Sequence, residues 1–415
     1  MPEQTQWDVA ALTRAAFYYH PDLAVARAQF NTATGGIATA HARPTPTLQS
    51  QPRYTFNPRG GITPWYMQIF SGFIIETAGK RRHRTEQATH LANASQFAVG
   101  QAAWLVRSRL RSALVTHLGA TLRLDTLKQQ VATQQDVVAR LTQSAQLGEA
   151  NGLDVTQAQI ALEQLHLQHD EAVRQQQESL AQVAQAIGVP VEAIADISLA
   201  TDWMYHPEVT DTTSRLDYRR EAVQGRPDMH SRLAEFEASH AALQLVISQR
   251  YPDIRIGPGY LFNQGQHFAA LPLDLVFMNP YSTKGAIKQA RARRQEMATR
   301  FEALQAQIIG DVDRGYTAYQ KAVLKLQAAE GLVAQQDEKQ RRVQQQFDVG
   351  EVDALALRLA ETEQHTARLT YVDTLIQAQQ ARGLLEDAIQ RPLNAVRPAL
   401  ADVNSHSPVT RTLNP

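Results

Sequence analysis

The sequence predicts a mainly α-helical protein with a small transmembrane β part. The full assembly expected is a trimer, with a 12-stranded β-barrel (four strands per chain) continued by a long α-helical barrel. Three observations predict this. Two hairpins of strict two-residue alternation are long enough to cross a bilayer. The whole pattern is written twice, and two proline-free stretches each keep a heptad seam.

The first repeat covers 1–190. It opens with a helix over Asp8 to Ala42, broken at Pro21, with Leu12, Ala15, Ala16 and Tyr19 on one face before the break. The hairpin at 46–76 follows. Leu48, Ser50, Pro52, Tyr54 and Phe56 alternate with Gln49, Gln51, Arg53, Thr55 and Asn57, then the chain turns at Asn57-Pro58-Arg59-Gly60-Gly61. Trp65, Met67, Ile69, Phe73 and Ile75 line one side of the return strand. Each run is about the 9–11 residues that a membrane-spanning strand needs.

No proline occurs between Pro64 and Pro190. Within that span, Leu110, Ala113, His117, Ala120, Leu124, Leu127, Val131, Gln134, Val138, Leu141 and Ala145 recur at spacings of three and four. This is a heptad seam on a helix over 80–147, roughly 100 Å long at 1.5 Å per residue. A glycine turn at 148–152 ends it, and a helix over 153–188 returns to Gly188-Val189-Pro190. The return helix is about half as long as its partner. The pre-hairpin helix stacked on its end would supply the missing half.

An irregular equatorial linker at 191–215 leads to the second repeat, 216–392. Its parts are a pre-helix near Asp217–Gln249, a hairpin at 252–278, a long helix at 284–347, a turn at 348–353 and a helix at 354–390. An offset of 206 carries Tyr54 to Tyr260 and Gly79 to Gly285; an offset of 202 carries Gly148-Glu149 to Gly350-Glu351 and Pro190 to Pro392. A polar tail occupies 393–415.

Composition removes several function classes. Lys plus Arg and Asp plus Glu stand at 41 each, so no net field attracts nucleic acid. No cysteine is present, which removes disulfides, thiolate metal sites and cysteine nucleophiles. No run approaches the 18 apolar residues or so of a membrane helix. The first residues show neither a basic nor an apolar signal region, which leaves a removed signal or a chain that is not exported. No paired-acid, Ser–His–Asp or phosphate-loop constellation occurs, so the chain is not read as an enzyme and no cofactor is expected.

Four strands cannot close a barrel, and an open sheet edge in lipid leaves backbone groups unpaired at several kcal/mol each. The chain must therefore borrow strands from copies of itself, and three copies give about twelve strands. The long helices of the same copies would then line a second tube.

The duplicated order of helix, hairpin, long helix, Gly-Glu turn and half-length helix resembles the TolC-like outer membrane efflux protein family, the outer membrane factors, over about 7–392. Glu76-Thr77-Ala78-Gly79-Lys80-Arg81 resembles the E-x-x-G-K-R stretch of the heavy-metal (cobalt–zinc–cadmium, Czc-type) branch. Leu271-Pro272-Leu273, Asn279-Pro280 and Gly285 resemble the matching stretch of the second repeat. The resemblance implies a homotrimer in the cell outer membrane, with its helical part in the periplasm. It implies a passive exit duct for heavy-metal cations, working with a periplasmic adaptor (membrane fusion) protein and an inner-membrane RND pump. Drug efflux and type I secretion ducts are the neighbouring readings. A soluble coiled-coil scaffold is the opposing class, and the alternating hairpins argue against it.

The resemblance also assigns sites. Gly148, Gly152 and Gly350 form the adaptor-docking turns, and Asp154 lines the periplasmic gate, with Glu149, Glu351 and Asp353 beside it. Asp154 matches Ala356 in the second repeat, so a doubled acidic ring is not expected. Trp65, Tyr66, Phe73, Phe268 and Phe277 are the candidate membrane aromatic girdle. Arg81, Arg82, His83 and Arg84 read as a basic run at the membrane rim. His166 and His169 share a metal-compatible spacing, but no third ligand is set beside them, so no metal site is assigned.

Overall fold

The computed structural model describes residues 7–58, 60–207, 214–275 and 280–393. Phe277, the end of the second hairpin and the tail from 394 onward lie outside them. Helices dominate: α1 (Val9–Tyr19), α2 (Pro21–His41), α3 (Lys80–Gln146), α4 (Gly152–Ile187), α5 (Arg215–Gly225), α6 (Pro227–Ser248), α7 (Pro280–Asp348) and α8 (Ala354–Ile389). Six strands complete the set: β1 (Thr47–Tyr54), β2 (Trp65–Ile75), β3 (Ile254–Ile256), β4 (Gly259–Asn263), β5 (Gln266–Ala270) and β6 (Leu273–Leu275). The mainly helical fold with one small sheet is the expected one.

Two compact units divide the chain, and α3, α4, α5 and α7 contribute to both. The first unit takes residues up to Arg111, Ala181–Ser198 and Arg220–Gly310. Asp8 caps α1 by accepting from the Ala11 N–H at 2.6 Å. Pro21 opens α2, where its missing N–H costs nothing. The second repeat breaks in the same place, between α5 and α6 at Arg226-Pro227, where the sequence suggests one continuous pre-helix. Arg226 and Asp228 at that break form a buried ion pair at 2.6 Å. The end of α4 abuts the start of α2: a Cβ on Gly188 would stand 2.9 Å from the His20 Cα.

The sheet lies wholly in this unit. β1 pairs with β2, β2 with β3 and β4, β4 with β5, and β3 with β6, all antiparallel. In effect there are four strands, the last two each broken in the middle. Continuous strands are expected for 252–278, and two prolines explain the interruptions. Pro258 and Pro272 have no N–H to give to the ladder. Neighbouring donors partly bridge the gaps, with Gly257 N–H to the Pro272 carbonyl at 2.9 Å and Ser71 N–H to the Pro258 carbonyl at 3.0 Å. The helix that follows begins at Pro280, ahead of the expected residue 284.

The second unit holds Ser112–Leu180, Leu199–Arg219 and the chain from Asp311. One core cluster joins Val115, Leu118, Leu326, Leu375 and Ala378 around Met204, which is fully buried. The linker is therefore docked here, and Gln379 donates to the carbonyls of Trp203 and Met204 at 2.9 and 2.8 Å. A second cluster joins Leu124 and Leu127 of α3 with Leu165 and Ala172 of α4. Beyond it the buried face of α3 becomes mixed, with Gln130 and Gln134 buried alongside Val137.

Candidate functional site

Register alone assigns a face to each strand residue, because directly paired residues point the same way and sequence neighbours point opposite ways. One face carries Leu48, Pro52 and Tyr54 of β1 and Trp65, Met67, Ile69, Phe73 and Ile75 of β2. It continues through Ile254, Ile256, Tyr260, Phe262, Ala269, Leu273 and Leu275. Most large apolar residues in this row stay exposed, Trp65 by 52% and Phe73 by 45%, while Ile254, Ile256 and Phe262 are half-buried. The other face carries Gln49, Gln51, Arg53, Gln68, Arg255, Asn263, Gln266 and Asp274, interspersed with Phe70, Ile74, Leu261 and Phe268. Among the described strand residues, every Arg and Asp falls on this polar face. His267, which bonds the Tyr260 hydroxyl near the hairpin turn, lies on the apolar one.

The faces split the aromatic girdle. Trp65 and Phe73 belong to the apolar face; Tyr66 and Phe268 lie on the polar one. Tyr66 donates to Gln68 at 2.8 Å and sits under the Arg53 guanidinium, so its surroundings are polar. Those two residues therefore do not share a face with Trp65. Tyr54 does share that face, packed edge-on against Trp65 at 5.0 Å. The signal was available, since Trp65 and Tyr66 are adjacent and must point oppositely. Both lateral borders, β1 on one side and β5 with β6 on the other, have no strand beyond them among the described residues.

Below the sheet, Glu76–Arg81 forms a junction. Ala78 and Gly79 are both left-handed, at φ 54° and 71°, which turns the chain sharply from β2 into α3. Lys80 is thereby buried, and its ammonium donates to Asp253 and to the Tyr251 carbonyl, both at 2.7 Å. Thr77 N–H also donates to Asp253. Glu76 holds Arg84 at 2.6 Å, and that guanidinium donates to the carbonyls of Ala40 and Ala42 at the end of α2. A cation at a helix C-terminus satisfies orphan carbonyls and complements the dipole. The six-residue stretch thus ties both repeats together beneath the sheet.

The helix turns of the second unit repeat one geometry. Gly148, at φ 79°, ends α3 with its N–H on the Ala145 carbonyl, and Glu149 N–H reaches the Ser144 carbonyl at 2.9 Å. Gly350, at φ 81°, ends α7 with the same two bonds, from Gly350 to Phe347 and from Glu351 to Gln346. Both are Schellman turns, which demand a left-handed residue that glycine supplies without steric cost. Gly152 differs: it is the first residue of α4 and a Cβ there meets open space.

The acids fall into two roles. Asp353 caps α8, accepting from the Ala356 N–H at 2.8 Å, the place Asn151 holds for α4. Glu149, Asp154 and Glu351 are exposed, and Asp154 sits in the first turn of α4, where the helix dipole favours an anion. No Lys or Arg occurs between Arg140 and Arg174, or between Arg342 and Arg358, so both turns are acidic. Nearby, Asp136 is held by Arg358 at 2.6 Å and Arg140 at 3.1 Å. Burial acts to raise its carboxyl, and these two guanidinium groups outweigh that and keep it below the usual range. His166 and His169 pair with Glu163 and Asp170 beside them, and no group of three metal-binding side chains is arranged together among the described residues.

Residues 13–189 match the sequence family described as outer membrane efflux protein. No curated protein sequence matches the chain. In fold, the chain is similar to the outer membrane protein VceC of Vibrio cholerae, at TM-score 0.74 and 17% identity, over 93% of this chain and 96% of that one. It is also similar to the open state of the Neisseria gonorrhoeae MtrE outer membrane channel, at TM-score 0.75 and 16% identity, over 93% and 89%. For the Campylobacter jejuni CmeC outer membrane channel the values are 0.72 and 13%, over 92% and 85%. The architecture is that of the TolC-like channels.

Proposed function

We propose that this chain is one subunit of a trimeric outer membrane efflux channel, a passive duct with no catalytic chemistry of its own. The observation that carries the reading is the sheet: apolar and largely exposed on one face, with all the strand Arg and Asp on the other, and open at both borders among the described residues. A sheet of this kind is stable in lipid only when closed. Three copies joined border to border would present the apolar row to the bilayer and the polar row to water. Trp65, Tyr54 and Phe73 would then meet lipid.

In its finer form, the duct carries heavy-metal cations of the zinc, cobalt and cadmium class and works with a periplasmic adaptor and an inner-membrane RND pump. The acidic turns around Gly148 and Gly350 would be the adaptor-facing end, with Asp154 lining the gate. What favours a cation there is the run of acids without compensating Lys or Arg. The Glu76–Arg81 stretch supports the shared architecture, because its residues are accounted for by the junction they build.

The test is the mass of the particle extracted from outer membranes in mild detergent. Three copies are expected, and a stable monomer that keeps its helices without detergent would refute the channel. Deletion of the gene, scored for zinc, cobalt and cadmium sensitivity beside protein export, separates the metal duct from a secretion duct.

A further inference from the structure

We propose that Arg53 from three copies forms a ring of guanidinium groups at the loop-side end of the bore and gives that mouth a preference for anions. The proposal rests on the channel reading above.

On the polar face, the paired residues form successive rungs across the sheet. The rung nearest the helices sets Ile74, Arg255 and Asp274 side by side. There Arg255 and Asp274 stand directly opposed, so their charges offset one another. The middle rungs, Gln49–Phe70–Gly259–Ala270 and Gln51–Gln68–Leu261–Phe268, carry no charge. The rung next to the loops sets Arg53 beside Tyr66, Asn263 and Gln266, all neutral.

Arg53 is exposed, and its guanidinium lies 5.4 Å from the centre of the Tyr66 ring. A cation–π contact orients the group without neutralising it. Guanidinium stays protonated at any physiological pH, so the charge is permanent. Threefold repetition of a strand-borne residue puts all three copies at one level of the wall. A ring of like charge in a pore selects by sign, and salt screens the selection. The sign is opposite to that of the helix turns, where acids predominate. Anionic and neutral solutes would pass this mouth more readily than free cations, and cationic cargo would leave with counter-ions.

The test is the reversal potential of the purified protein in planar bilayers across a gradient of dilute potassium chloride. Wild type should favour chloride, and less so as salt rises. Arg53→Lys should keep the preference. Arg53→Gln should lower the chloride-to-potassium permeability ratio by about two-fold, and Arg53→Glu should invert it. Because the chain has no cysteine, Arg53→Cys supplies a single thiol in an otherwise unreactive protein. A cationic methanethiosulfonate should restore chloride preference there, and an anionic one should shift it to potassium. Conducting pores whose ratio moves with none of these changes would overturn the proposal while leaving the channel reading intact. Wild-type protein that conducts in no salt would overturn the channel reading and this one with it.

Discussion

The two repeats follow one plan with different local chemistry. The return helix of the first ends at Gly188, at φ 88°, while that of the second ends at Gln390, at φ 50°. Both residues are left-handed and both close the same turn. What differs is the neighbourhood. A Cβ on Gly188 would strike the His20 backbone, so the first repeat requires glycine twice over, for dihedral and for space. The junction beneath the sheet also differs between the repeats in which residues carry charge. Lys80 and Arg84, which anchor it, correspond at the offset of 206 to Ala286 and Ala290. The elements recur, while the cations Lys80 and Arg84 have no charged counterpart at the matched positions.

The sharpest way to break this comparison is Gly188→Ala. Left-handed strain and a backbone clash together should cost about 3 kcal/mol, read from the thermal melt of the helical signal in detergent. Gln390→Ala, on a residue already left-handed, should be close to neutral. Equal losses at the two positions would mean that the repeats are not locally distinct.

Lys80→Ala comes next. It leaves Asp253 with only the Thr77 N–H beneath the sheet, and because Asp253 is more than a third exposed the loss should be about 2 kcal/mol. The reciprocal Ala286→Lys should give no comparable gain.

A smaller effect is expected at the helix starts. Asp353→Ala removes a 2.8 Å cap and should cost about 1 kcal/mol, more than Asn151→Ala, whose cap is 3.2 Å long. Chemical unfolding of the two variants checks the order.

The mildest effect is on acid stability. Burial, with Arg368 nearby adding to it and Glu361 opposing, pushes the His365 imidazole below its ordinary 6.5. Burial does the same to His117. The neutral form is favoured in the fold, so an unfolded chain takes up the proton first. Stability is full above pH 6.5 and declines as pH falls toward the folded values. His365→Gln should flatten part of that decline in melts taken between pH 7 and 5.

Much of this was readable beforehand. Alternation through Trp65–Ile75 marks a strand with one apolar face, and Gly148 and Gly350 mark helix ends because little else tolerates that dihedral. Two things were harder to see. Pro258 and Pro272 sit in otherwise regular alternation, and a period-two count passes over a missing N–H. Aromatic residues also draw the eye by type, whereas parity decides which side they face, and parity separates Tyr66 from Trp65. The buried occupation of Lys80 and Asp253 depends on a contact 173 residues apart in sequence, which no local pattern carries.

The two prolines have a mechanical meaning. At one height, where Gly72, Gly257, Pro258 and Pro272 meet, the sheet loses two donors, and only β2 runs unbroken from loops to helices. The sheet is therefore creased at that height and carried past the crease by one continuous strand. The loop-side half of the sheet therefore hangs on that strand and on the two bridging bonds, Gly257 to Pro272 and Ser71 to Pro258, while Lys80 and Arg84 anchor the other half.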